Sequence, residues 1–139
     1  MRKFVFRLQK VLEYREMTEE WAKEAYLHAQ RARLEGDAVL ATIGERRLSQ
    51  LAQPLLGLAE RLALDAMLSR LDSEEEVQRG VLVELLAEEA QTLDEWIERK
   101  REREALVKLR AREHETWLLE SSRKEQSSLD EWAVLRRAS

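Results

Sequence analysis

Leu51-Ala52-Gln53-Pro54-Leu55-Leu56-Gly57 is the stretch at which a chain otherwise built for helix has to break. Pro54 has no backbone N–H, and its ring blocks continuation of the helix that precedes it. Gly44 and Gly57 flank it. Upstream lie Phe4, Leu8, Val11, Arg15, Thr18, Ala22, Ala25, Ala29, Ala32, Gly36, Val39 and Ile43, at steps that alternate four and three. Most of them are apolar, which marks the 3.5-residue seam of a coiled coil. The successive alanines allow close approach of a second helix but bury little area each. Downstream, the same alternation links Leu86, Ala90, Leu93, Ile97, Lys100, Glu104, Val107, Ala111, His114, Leu118, Ser121, Glu125, Ser128, Trp132 and Leu135. Its polar members make this a poor zipper: either they set register, or the helix outruns its partner there and faces solvent.

Ser73-Glu74-Glu75-Glu76 reads as an N-cap with a capping box and an acidic first turn. The expected architecture is therefore all-α: an antiparallel two-helix coiled-coil hairpin with a short helix or kink at the tip. Residues 1–139 would form a single coiled-coil domain, with helix one at about 3–52, the tip at about 53–73 and helix two at about 74–136. A second placement stays open. In it the chain turns at Pro54 itself, helix two starts near Leu56 and the last thirty or so residues project unpaired.

Composition agrees with this. Ala, Glu, Lys, Leu and Arg make up 87 of 139 residues, well above the roughly one-half share that signals a coiled coil or long helix. Four glycines, one proline and no asparagine leave too few turn residues for a sandwich, barrel or doubly wound sheet. The absence of cysteine excludes disulfides and thiolate chemistry. Arg7 and Lys10 interrupt any signal-peptide core, and no stretch approaches the ~20 apolar residues of a membrane span. A soluble, cytosolic protein without membrane insertion is expected.

The net charge of −4 hides an asymmetry. Residues 53–98 are strongly acidic, whereas both ends are mildly basic. Folded as a hairpin, such a chain would present poles of opposite sign and could sort partners by end; equally, the charges could simply solvate long helices.

Little points to catalysis. His28 and His114 each lack a second histidine within a turn or two, so a cross-helix contact is the better reading than a metal site. Asp and Glu are so abundant that carboxylate pairs at i, i+4 occur by chance, and a thin coiled coil has no cleft to shift their pKa values. No glycine-rich phosphate loop is present. An enzyme is not expected, and neither is a cofactor. Arg99-Lys100-Arg101-Glu102-Arg103 has acidic residues interleaved, which favours an ion-paired solvated face over nucleic-acid binding.

Apolar residues off the seam are more informative. Phe6, Leu27 and Leu34 fall on the outer face of helix one in this register. Leu48, Leu51, Leu55, Leu56, Leu58, Leu62, Leu64, Met67, Leu68 and Leu71 crowd the tip. A partner protein would cover them, or the tip helix would fold back over them. For the tip the first reading is preferred, with Leu48, Leu51, Leu55, Met67, Leu68 and Leu71 as contacts. Trp132 is expected to pack in the seam; Trp21, Trp96 and Trp117 border it as candidate anchors.

Both ends of the chain resemble the flagellar export protein FliJ family. The segment from Phe4 to Glu16 is similar to that family's opening: a phenylalanine-rich stretch, then Arg-Leu-Gln, then Val-Leu and an arginine. The segment from Arg123 to Ala133 is similar to its end, where a charged helix closes with Glu-Gln, Leu-Asp-Glu and an alanine. The resemblance implies a small cytoplasmic part of the flagellar type III export apparatus, peripheral to its membrane-embedded portion. It implies an antiparallel coiled coil similar to the stalk of rotary ATPases. The implied partners are the export ATPase ring, the cytoplasmic domain of the export gate, and export chaperones. Phe4, Phe6, Leu8, Val11, Leu12 and Arg15 match the first family segment; Gln126, Leu129, Asp130, Glu131 and Ala133 match the second. In a hairpin these share the terminal pole, which would meet the ATPase ring while the tip meets the gate. The alternatives are the equivalent stalk of a virulence-type secretion system and a generic structural coiled coil.

Overall fold

The computed structural model describes residues 2–54 and 56–138. Two helices, α1 (Gln9–Leu51) and α2 (Leu58–Ala138), form an all-α hairpin, and no strand occurs among the described residues. Helix α1 starts six residues later than expected from the sequence. Residues 2–6 have no regular secondary structure around Phe4-Val5-Phe6, whose aromatic and β-branched side chains favour helix weakly. The Phe6 side chain is buried, and its carbonyl accepts from the Gln9 N–H at 3.1 Å. At its other end α1 closes with a tightened turn, Gln53 N–H to the Gln50 carbonyl at 3.3 Å, directly before Pro54. Glu60 then opens α2: its Oε2 accepts from the Leu56 N–H at 2.7 Å and places an acidic group in the first turn.

The separate tip helix and the start of helix two near residue 74 are not observed. Leu58–Ala138 is one helix of 81 residues. Ser73 is not an N-cap; its hydroxyl donates back to the Ser69 carbonyl at 3.2 Å, the bond a serine makes inside a helix. Its capping-box pattern is overridden because neither proline nor glycine stops the helix there and Leu71, just before it, is fully buried.

The chain divides into two compact units: Met1–Glu20 with Glu98–Ser139, and Trp21–Ile97. In the second unit, buried and half-buried positions on α1 run Ala22, Tyr26, Ala29, Arg33, Gly36, Leu40, Ile43 and Arg47. Against them on α2 stand Leu68, Leu71, Glu75, Gln78, Leu82, Leu85, Glu89 and Trp96. In the first unit the covered positions are Leu8 just before α1, Leu12, Arg15 and Glu19 on α1, and Arg99, Arg103, Leu106, Glu113 and Trp117 on α2.

This differs from the apolar seams read in the sequence. On α1 half of the expected seam is correct (Leu8, Arg15, Ala22, Ala29, Gly36, Ile43). The other half is displaced by one residue, leaving Val11, Ala25 and Val39 exposed. On α2 the expected seam is displaced throughout; Leu86, Ile97, Val107 and Leu118 are exposed, and Trp132 is 60% exposed rather than packed. The true seam carries charged side chains that pair across it, so apolar periodicity pointed to its neighbour.

At Gly36 the two helices pack tightly. A Cβ there would lie 2.9 Å from methyls of both Leu82 and Leu85, and its carbonyl accepts from Gln78 Nε2 at 3.0 Å. Gly80, by contrast, faces open space. Gly80→Ala should therefore stabilise the protein by about 1 kcal/mol through helix propensity, while Gly36→Ala should forfeit that gain. Leu71→Ala should cost about 2–4 kcal/mol through the cavity it leaves. Chemical denaturation followed by circular dichroism measures all three.

Candidate partner-binding surfaces

In the first unit the N-terminal strap, residues 2–8 ahead of α1, is pinned by rings. Phe4 meets His114 edge-on at 4.8 Å between centroids and Trp117 at 6.0 Å, while the Arg110 guanidinium lies 5.6 Å from its ring centre. His114 thus contacts the non-helical N-terminal segment, where a cross-helix contact was expected. Arg110 Nε donates to Gln9 Oε1 at 3.2 Å. Arg15 and Arg99 both donate to the Glu102 carboxylate, at 2.6 and 2.8 Å, and Arg103 pairs with Glu19.

These contacts sort the residues expected at the terminal pole. Phe6 and Leu12 are buried and spent on packing, while Phe4, Leu8 and Arg15 are half-buried and Val11 is exposed. Gln126, Leu129, Asp130, Glu131 and Ala133 are exposed, as is every described residue from 122 to 138. In that stretch Leu129, Trp132, Val134 and Leu135 are each at least 60% exposed. Gln126 Nε2 donates to Asp130 at 3.3 Å, and Arg136 covers the Trp132 ring at 5.0 Å. A shallow groove of about 800 Å³ joins Arg2, Trp117, Lys124 and Leu129. The N-terminal segment thus lies along α2, with Phe4 on His114 and Trp117 and with Arg2 lining a groove that reaches Ser128 and Leu129.

In the second unit, Leu48 and Leu51 are exposed, as are Leu56, Leu58 and Leu62 around the turn. Met67 and Leu68 are half-buried. Leu71 is inaccessible, which removes it from any outward-facing surface. Leu55 lies outside the described residues. A shallow groove of about 450 Å³ runs from Gln50 and Pro54 to Leu64 and Met67. Among the tryptophans, Trp96 stacks on Tyr26 at 5.6 Å, whereas Trp21 is exposed.

What apolar periodicity missed is the cross-seam pairing. Arg33 pairs with Glu89 and also holds Asp37 at 2.9 Å. Arg47 reaches Glu75 at 2.6 Å and Asp72 at 2.7 Å, and Arg46 reaches Glu74 at 2.9 Å. The signal was present as a fourteen-residue spacing, two heptads: Glu19, Arg33 and Arg47 on α1, answered by Arg103, Glu89 and Glu75 on α2. No group of three or more His, Asp or Glu side chains among the described residues is placed to hold a metal ion. No helix among them is long and apolar enough to cross a membrane.

The residues define a two-helix coiled coil with an ion-paired seam and uncovered apolar positions on its helices. The sequence matches the family described as flagellar FliJ protein across residues 4–138, and the chain belongs to that family. It is thereby a coiled-coil protein of flagellum biogenesis and type III protein export. No curated relative and no solved structure matches it.

The Glu75 carboxyl is held below its ordinary range, chiefly by hydrogen bonds from Arg79 and then Arg47. A lowered folded-state pKa stabilises the fold above the ordinary carboxylate range, and that contribution disappears as pH falls through the lowered value. Glu75→Gln should therefore be less stable than wild type at about pH 7, with the gap closing toward about pH 3. Urea midpoints at the two pH values check this; a gap independent of pH would refute the role of Glu75.

Proposed function

We propose that this chain is a stalk-like, non-enzymatic adaptor of the flagellar type III export apparatus. It links the export ATPase ring to the cytoplasmic domain of the export gate and to export chaperones, in the cytoplasm at the periphery of the membrane-embedded apparatus. Family membership across residues 4–138 supports the flagellar setting over a virulence-type secretion system. The observation that carries the adaptor reading is the stretch 122–138, where α2 continues with every described side chain exposed and with Leu129, Trp132 and Leu135 in water. Large apolar side chains kept on an uncovered helix are the usual mark of a surface awaiting a partner. The ATPase ring is assigned to this stretch together with the N-terminal strap. The gate is assigned to the exposed leucines of the turn, Leu48 and Leu51, with Met67 and Leu68 at their edge.

Phe6 is unsuitable for testing this, because its removal would damage the core. Leu129 and Trp132 can be changed without touching the seam. Wild-type protein immobilised in flagellated cytosol should retain the export ATPase, and Leu129→Asp/Trp132→Asp should lose it while keeping its helical circular dichroism. Wild-type protein that retains neither ATPase, gate component nor chaperone would leave the generic coiled coil as the better account.

A further inference from the structure

In the second unit, α1 and α2 present two different sides. One carries the groove lined by Val39, Arg46, Glu74 and Val77. Those α1 residues precede the seam positions Leu40 and Arg47 by one. Leu27 and Leu34 follow the seam positions Tyr26 and Arg33 by one, and Leu86 and Leu93 follow Leu85 and Thr92 by one, so all four lie on the other side. There Val83 is 67% exposed and Leu86 and Leu34 are each 52% exposed. Ala87 and Ala90 beside them are exposed and small, and Ile97 ends the row. An apolar strip of this length, with small residues at its middle, suits close packing of another helix.

The pattern of the strip is self-complementary. About a point midway between Leu86 and Ala87, Val83 reflects onto Ala90, and Arg79 reflects onto Asp94. A large residue thus answers a small one, and a cation answers an anion. A two-fold interface has this property: residue i of one copy meets residue j of the other, and the reverse. Arg79 spends one contact on Glu75 at 2.8 Å but keeps its side chain 65% exposed, so it can also reach outward.

We propose that this face is the contact surface of a reversible homodimer of folded hairpins. Two α2 helices pack antiparallel through Val83, Leu86 and Ala90, with Arg79 of each copy on Asp94 of the other and Leu34 at the flank. The occupant is a second copy of this chain, and the association leaves each hairpin's own seam intact.

The chain has no cysteine, so introduced thiols report without background. Sedimentation equilibrium of wild-type protein should show a monomer–dimer equilibrium, and Ala90→Glu should abolish it. Arg79→Asp and Asp94→Arg should each weaken self-association by about tenfold, and the two combined should restore it, because the swap recreates both pairs. Under mild oxidation, Val83→Cys mixed with Ala90→Cys should cross-link faster than either variant alone. The proposal is overturned by wild-type protein that stays monomeric throughout, including one that captures a different partner helix on this face. It is also overturned by a dimer indifferent to Ala90→Glu, or by single-thiol variants that cross-link as fast alone as mixed, the result a parallel dimer would give. Because capture of the export ATPase is read separately through Leu129 and Trp132, failure here leaves the adaptor reading standing.

Discussion

The pairing of opposite charges across the helix seam, at fourteen-residue intervals, is the constraint on which the rest of this structure depends. Glu19 with Arg103 in one unit, and Arg33 with Glu89 and Arg47 with Glu75 in the other, occupy positions that a simple zipper would fill with leucine. Each pair is partly open to solvent, so its contribution to stability is modest. Its contribution to specificity is larger. The sign on α1 changes between Glu19 and Arg33, and aromatic or leucine positions intervene at Tyr26 and Leu40. A slip by one heptad would therefore set charges against apolar side chains or leave them unpaired. The apolar residues that remain, chiefly Leu71, Leu82, Ile43 and the small Gly36, then need only fill a narrow space.

That same constraint explains which parts of the fold were legible. The break at Pro54 and the helical character on either side followed from composition and from the chemistry of proline. The alternating half of the α1 seam through Ala22, Ala29 and Ile43 was legible because those positions are apolar. Its other half was not, because Glu19, Arg33 and Arg47 look like surface residues until their partners are known. On α2 the more apolar row through Leu86, Ala90 and Ile97 stood beside the true seam and concealed it. Ser73 misled for a related reason: a cap pattern is local, and burial of Leu71 is not.

The candidate surfaces divide in the same way. Family-like segments at both ends were recognisable as motifs, yet motif and exposure are different properties. Phe6 and Leu12 belong to the first segment and are packed away, whereas Leu129 and its neighbours in the second are in water. Phe4 lies between, held by His114, Trp117 and Arg110, so the strap's aromatic residues serve to fasten it. The exposed leucines of the turn were legible from crowding alone, since a single pair of helices cannot enclose so many.

The uncovered end of α2 has a thermodynamic consequence. Seventeen or so residues in isolation are close to the minimum that holds helix in water, because initiating the first turn is costly. Residues 122–138 are spared that step: they extend a helix already begun beneath the Phe4 strap, and add turns by propagation only. They should fray progressively toward Ala138, so that amide exchange quickens with distance from Trp117. A protein docking there would meet a template ordered at its root, and would fasten turn by turn toward the loose end.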